Sequence, residues 1–413
     1  MYRVKNRNLN REGLALKWRS AVWVLLLSLA CGLFGCNEQD PRQILSNDRQ
    51  APGTVTDVHV KNLNGAAEIS YKIPEDLDLL YVEADYELRP GYPLEVQASY
   101  YNDRLLVNGF GDTNPHTVML TSVDRSGNRS SPIEVTVNPL ISPVQQAYKS
   151  LSYREDFGGV NVTFSNETES DLVVTVLVKD STGDWVDYDK DYTSLADGNF
   201  SVRGLPAIPT TFGVFVQDRW DNFSDTMVQK LIPFFEMELD KSKFSPVEGL
   251  PNDADNSWDT NKVWDDDPNR VGGSNGFSSK NSGLPASFTI DLGVPSQISR
   301  FRIWQVHDGR EYSSGNIQLF QLWGTNDLNP DGSWDNWILL KDAEVVKPSG
   351  LPAGELSNED KETAAAGDEF TLPVNTPAVR YVRFKVLSTF ASPPGSVTAT
   401  FWMLEATFWG RTE

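Results

Sequence analysis

An eight-residue element that returns at a fixed spacing constrains this chain more than any other feature. Val123-Asp124-Arg125-Ser126-Gly127-Asn128-Arg129-Ser130 is echoed 94 residues later by Gln217-Asp218-Arg219-Trp220-Asp221-Asn222-Phe223-Ser224. Each copy follows an apolar run (Val118 to Leu120, Phe212 to Val216) and precedes another (Ile133 to Val137, Met227 to Ile232). Asp and Asn in such a position bond their own backbone and tolerate left-handed conformations, so the element is expected in the last hairpin of a repeated unit. The period is the size of one β-sandwich domain. Elsewhere, short runs such as the alternating Val55-Thr56-Asp57-Val58-His59-Val60 and the continuous Val173 to Val178 are separated by Gly, Pro, Asn and Asp. No stretch shows sustained helical periodicity, so the expected fold is all-β.

The N-terminal segment fixes the compartment. Arg3, Lys5, Arg7, Arg11, Lys17 and Arg19 precede an uncharged run of 15 residues, Ala21 to Gly35, that stops at Cys36. This is the pattern of a secretory signal, shorter than the ~20 residues a spanning helix needs. Leu33-Phe34-Gly35-Cys36 resembles a bacterial lipobox, which implies a signal peptide over 1–35, cleavage before Cys36 and a lipid on its thiol. The other cysteine, Cys31, leaves with the signal, so no disulfide is available. Residues 36–50 are polar and aperiodic, as in a flexible tether. Glu38 and Asp40 there resemble the surface-export signal of Bacteroidota-type lipoproteins, which implies an outer-membrane protein facing outward. The signal carries six basic side chains and one acidic, which takes the remaining chain from −21 to −26. That balance argues against nucleic acid and against docking on anionic headgroups, leaving the lipid as the expected membrane attachment.

Module boundaries follow from the repeat. Residues 51–141 and 142–238 are expected to be two tandem sandwiches, with Pro139-Leu140-Ile141-Ser142-Pro143 as the linker between them. Their Asp-Arg-x-x-Asn-x-Ser element resembles the final hairpin of fibronectin type III and immunoglobulin-like domains. From 239 to 413 the chain is richer in Trp, with longer loops. Trp264-Asp265-Asp266-Asp267-Pro268-Asn269, Gly276-Phe277-Ser278-Ser279 and Phe288-Thr289-Ile290-Asp291-Leu292-Gly293 come in that order. Ile298 to Ile303, Phe320 to Asp327, Val379 to Phe384 and Leu404 to Gly410 continue the pattern. Together these resemble a discoidin or coagulation-factor type C domain, which implies a galactose-binding-like jelly roll of eight strands. The order of modules behind a lipobox is similar to Bacteroidota lipoproteins of glycan-utilisation systems. That resemblance implies a glycan ligand and outer-membrane uptake-complex proteins as partners, and it assigns no chemistry to the first two modules.

Catalytic patterns are missing from the sequence. The three histidines, His59, His116 and His307, are spread over two modules. There is no Gly-x-Ser-x-Gly, His-Glu-x-x-His or phosphate-cradling glycine loop. A glycoside hydrolase needs only two suitably spaced carboxylates and is the weakest alternative; a protein-binding, adhesin or assembly role is the stronger one. Asp265-Asp266-Asp267 offers the hard oxygens calcium accepts. The discoidin resemblance implies one structural calcium held by Asp265, Asp267 and Glu405, although Asp266 stands where the family has Gly. Sugars are recognised by aromatic faces and by polar side chains that bond hydroxyls. Residues 304–316 concentrate that chemistry, so His307, Arg310, Tyr312 and Asn316 are expected to bind carbohydrate, with Trp258 and Trp402 as platforms. Trp323, Trp337 and Trp409 are expected in the core, and Trp185 and Tyr188 form a weaker second platform.

Overall fold

The computed structural model describes residues 49–412 apart from 252, 255–258, 270–275 and 281–282. Cys36 and Trp258 therefore lie outside the described residues.

Residues 49–108 and 114–138 belong to one compact unit. Its strands are β1 (Thr56–Leu63), β2 (Ala66–Lys72), β3 (Leu79–Glu87), β4 (Pro93–Ser99), β5 (Arg104–Asn108), β6 (His116–Asp124) and β7 (Ile133–Val137). They pair antiparallel in two sheets, ordered β1-β2-β5 and β4-β3-β6-β7. Alternation decides which side faces in: Val82, Ala84 and Tyr86 of β3 and Val118 and Leu120 of β6 are buried.

The second unit takes in residues 109–113 and everything from Pro139 onward. It opens on a short helix, α1 (Pro143–Ser150), which starts at the last residue of the expected linker and was not foreseen. The missed signal is local: the Ser142 hydroxyl accepts from the Gln145 amide and Pro143 fills the first turn, where its lost N–H costs nothing. Strands β8 (Ser152–Asp156), β9 (Gly159–Ser165), β10 (Leu172–Lys179), β11 (Trp185–Thr193), β12 (Asp197–Val202), β13 (Thr210–Asp218) and β14 (Met227–Leu231) follow. Their sheets, β12-β9-β8 and β11-β10-β13-β14, repeat the first sandwich strand for strand. Val160, Val162, Val174, Val176, Val214 and Val216 meet in the core.

The repeated element performs the same task twice. Asp124 Oδ1 accepts from the amides of Ser126 and Asn128, both at 2.8 Å, and Asp124 Oδ2 accepts from Asn128 Nδ2 at 2.8 Å. Asp218 accepts in the same way from Trp220, Asn222 and Asn222 Nδ2 at 2.9, 3.1 and 2.8 Å. Ser130 and Ser224 hydroxyls take the amides of Ser122 and Val216 on the preceding strands. Gly127 and Asp221 occupy the matching left-handed position, at φ 83° and 58°.

The remaining strands are β15 (Met237–Glu238), β16 (Ser245–Val247), β17 (Phe277–Ser278), β18 (Ala286–Trp304), β19 (Ile317–Thr325), β20 (Ile338–Glu344), β21 (Asp368–Thr371), β22 (Val379–Thr389), β23 (Trp402–Met403) and β24 (Glu405–Thr412). Eight of them share a sheet, with β15-β24-β18-β22-β19-β20 in order and β16 and β21 both paired to β18. β18 changes partner midway: Ala286 to Asp291 pair with β22, and Ser296 to Trp304 with β24. Gly293, at φ 79°, sits at this change, where a Cβ would come within 2.6 Å of the Lys243 carbonyl oxygen. The core is aromatic: Phe288 stacks between Phe277 and Phe384 at centroid separations of 4.4 and 5.1 Å. A second helix, α2 (Asn358–Ala366), also escapes the periodicity reading, yet Ser357 and Asp360 form a full capping box at its start.

The second sandwich is bolted to the last module through Glu236. Its Oε1 accepts from Arg203 Nη1 (3.0 Å), Ser299 Oγ (2.5 Å) and Arg300 Nε (3.3 Å), while Oε2 takes Arg300 Nη2 at 3.3 Å. A carboxylate that meets two guanidinium groups and a hydroxyl in a nearly dry setting is well satisfied, and each arginine has a second carboxylate, Asp156 for Arg203 and Glu369 for Arg300.

Candidate functional site

The loop 304–316 leaves the end of β18 and returns into β19, and it is held in an uncommon backbone shape. Gly309, Tyr312 and Ser314 all have positive φ, at 95°, 48° and 54°. For a residue as bulky as Tyr this is an outlier that only surrounding structure can maintain. Asn316 supplies that structure. Fully buried, it accepts from the Val306 amide at 2.8 Å and donates from Nδ2 to the carbonyls of Val306 (2.9 Å) and Arg310 (2.8 Å). The Gln305 side chain takes the Tyr312 amide at 2.7 Å, and the Tyr312 ring packs edge-on against Phe390.

The five described residues expected to bind carbohydrate therefore divide. Tyr312 and Asn316 face inward, where one is a core ring and the other the loop's hydrogen-bonding hub, so neither offers a surface to a ligand. His307 is half-buried, and its Nε2 lies 2.8 Å from the Pro268 carbonyl. A carbonyl can only accept, so this nitrogen donates and ties the loop to the acidic segment at 265–268. Arg310 and Trp402 remain at the surface and come together, with the guanidinium 5.2 Å from the indole centroid. Asp308 fixes Arg310 bidentately, at 2.8 Å to Nε and 2.6 Å to Nη2. Gly315 also lies against the indole, where an added Cβ would come within 2.9 Å of the ring. An Asn316–Trp402 bridge and the bond from the Trp402 amide to the Gly315 carbonyl bring β23 against the loop.

Beneath the loop is a set of buried polar atoms that no sequence pattern announces. Gln305 Nε2, Glu311 Oε2, Tyr312 Oη and Asp368 Oδ2 are all buried without a hydrogen-bond partner. Burial pushes the Asp368 carboxyl up to about 6, with Gln305 pulling the other way. It also drives the Tyr312 hydroxyl upward, helped by the nearby Asp368, Asp360 and Glu311.

The expected calcium ligands are arranged differently from the resemblance. Among the described residues, the acidic side chains whose oxygens gather within 4.8 Å of one another are Glu83, Asp85 and Glu95, and Asp265, Asp267 and Glu405 do not. Asp265 and Asp267 are exposed, whereas Glu405 is buried at the start of β24. The group on Glu405 is Lys241, whose Nζ lies 2.7 Å from Oε1 of Glu405, 2.6 Å from Oδ1 of Asp266 and 3.8 Å from Glu238. Burial pushes the Glu405 carboxyl up to about 7 against the pull of Lys241. Burial would lower the ammonium, but Asp266 and Glu405 outweigh it and hold it above its ordinary value. Calcium takes six to eight oxygens, and the residues here present an ammonium instead, so they do not fit that ion.

Of the remaining aromatic expectations, Trp337 is buried, while Trp323 and Trp409 are half-buried beneath cations. Lys385 lies 5.9 Å from the Trp323 centroid and Arg300 4.1 Å from that of Trp409. Trp185 and Tyr188 do not pair: Trp185 lies across Gly213 on one sheet face, and the Tyr188 hydroxyl donates to the Arg203 carbonyl.

Fold and site define a modular all-β chain with a half-buried Arg–Trp pair in its terminal module. Three families, each described only as a domain of unknown function, match it in order: DUF4959 over 52–139, DUF5126 over 140–242 and DUF5000 over 264–410. The chain is similar to the solved SusE-like protein BT2857, with 31% identity over 65% of this chain and 98% of that one, and a TM-score of 0.41. It is also similar to a two-domain fibronectin type III segment of chicken tenascin, with 13% identity over 44% of this chain and 99% of that one, and a TM-score of 0.22. The fifth fibronectin domain of Drosophila Lar matches with 22% identity over 22% of this chain and 99% of that domain, with a TM-score of 0.17. No curated protein matches. Identity of 31% along 98% of the SusE-like protein makes this chain a member of the SusE-like family.

Proposed function

We propose that the chain is a non-catalytic outer-membrane lipoprotein, anchored through Cys36 and facing the cell surface. In this reading its discoidin-like C-terminal module binds carbohydrate as an accessory to polysaccharide capture and uptake. Kinship with a SusE-like protein supports the setting. The observation that carries the binding role is the Arg310–Trp402 pair, a half-exposed indole with a fixed guanidinium over it at the mouth of a strained loop. An indole face stacks on the CH-rich face of a sugar ring, and an oriented guanidinium donates to its hydroxyls. His307, in the same loop, is a further polar group.

The test is a glycan-array screen of the soluble chain from residue 37, with Trp402→Ala and Arg310→Ala alongside. Binding to a defined glycan class is expected, weakened at least tenfold in each variant while both melt as the parent does. Silence across the array from a folded protein would overturn the reading in favour of a protein partner. Replacing Cys36 with Ser should separately release the chain from membranes, and continued retention there would sink the anchor.

A further inference from the structure

We propose that Lys241 is the resident cation of the acidic loop. Its ammonium stands where a discoidin-like module would hold calcium, so this module folds without a metal. Three observations converge on one small volume. The lysine side chain is only 10% exposed, and its Nζ sits between Glu405, itself 1% exposed, and Asp266. The ammonium is a compact point charge with three donors, and here it has acidic neighbours at 2.6, 2.7 and 3.8 Å. A divalent ion entering the same carboxylates would have to displace it, because two cations cannot share that position.

The second observation is Asp266 itself. Its φ of 65° is the left-handed conformation in which the related loops carry Gly, and Asp is among the few side chains that adopt it at modest cost. The chain therefore keeps the turn and gains a carboxylate there, and that carboxylate meets Lys241. The departure at 266 and the lysine at 241 form a single feature, an internal ion pair linking the first loop to the last strand. The third is Asp240, whose side chain accepts from the amide and hydroxyl of Ser242 and caps the short helical turn that presents Lys241. The lysine thus leaves a fixed backbone.

Only the comparison with calcium rests on the discoidin resemblance; the ion pair does not. The experiment uses the soluble chain from residue 37. After dialysis against millimolar calcium, elemental analysis is expected to find well under one calcium per chain, and chelation is expected to leave the melting temperature unchanged. One bound calcium per chain, or a fall in melting temperature on chelation, would overturn the proposal. Lys241→Met, which keeps the stem and removes the charge, should lower the melting temperature by about 5–10 °C, since it leaves Glu405 buried and unpaired. A variant that melts with the parent would equally overturn it. Glycan binding is not read in any of these measurements, so failure here leaves the proposed role of loop 304–316 standing.

Discussion

Two loops of the last module look alike in sequence, polar and acidic in a β framework, and they treat charge in opposite ways. Around Glu405 a buried carboxylate has its own cation, because Lys241 reaches in from a capped turn. Under loop 304–316 the half-buried Asp368 has no such cation among the described residues, and its Oδ2, like Oε2 of Glu405, is buried without a hydrogen-bond partner. The first arrangement holds two segments of chain together. The second stores an unfavourable charge beneath a strained loop whose Arg310 and Trp402 face outward. Acidic density can therefore be met by a lysine of the same chain, as Glu405 and Asp266 are by Lys241.

Breaking the first loop should give the largest effect. Glu405→Gln strands Lys241 on the exposed Asp266 and should cost about 4 kcal/mol, read as a shifted midpoint in urea unfolding. A cost near zero would mean that the pair is ornamental. Removing the hub of the second loop comes next. Asn316→Ala leaves two buried carbonyls and one amide without their partner and should cost about 3 kcal/mol while also abolishing glycan binding, because Arg310 loses its support.

Sharpening the contrast takes a substitution that helps. Asp368→Asn should raise stability at pH 7 by about 2 kcal/mol. The sign follows from the direction of the shift. A carboxyl raised from 3.8 to about 6 holds its proton more tightly in the folded state, so folding loses stability as pH rises from about 4 to 6. The asparagine variant should lack that loss, and a parallel pH profile of melting temperature for parent and variant would contradict the account. The smallest effect is expected at Tyr312→Phe, within about 0.5 kcal/mol, because the deleted hydroxyl has no hydrogen-bond partner. Glycan affinity should not change; a clear loss would return Tyr312 to the binding surface.

How far these features were legible depends on how local their causes are. The hairpin element could be read outright, because Asp124, Asn128 and Asp218, Asn222 bond backbone two to four residues away. The two short helices were missed for the same local reason seen from the other side. At eight and nine residues they are too brief to show a period, and only the caps at Ser142 and Ser357 mark them. Arg310 and Trp402 were both expected to bind carbohydrate, but their pairing spans 92 positions and depends on β23 lying against the loop. Nothing in the residues of 304–316 says which polar groups are spent internally. Tyr312 and Asn316 have the chemistry of ligand contacts, and packing turned both inward.

What the sequence by itself determined is the order of sandwiches, the turns between their last strands and the overall charge, since each depends on alternation, turn chemistry or counting. What only the tertiary structure decided is which charges meet. Lys241 and Glu405 are 164 residues apart and reach 2.7 Å because the two ends of the module close on each other. Glu236 likewise joins Arg203 to Arg300 across two modules. The strength of a charge pair depends on separation and burial in space, and distance along the chain carries neither quantity.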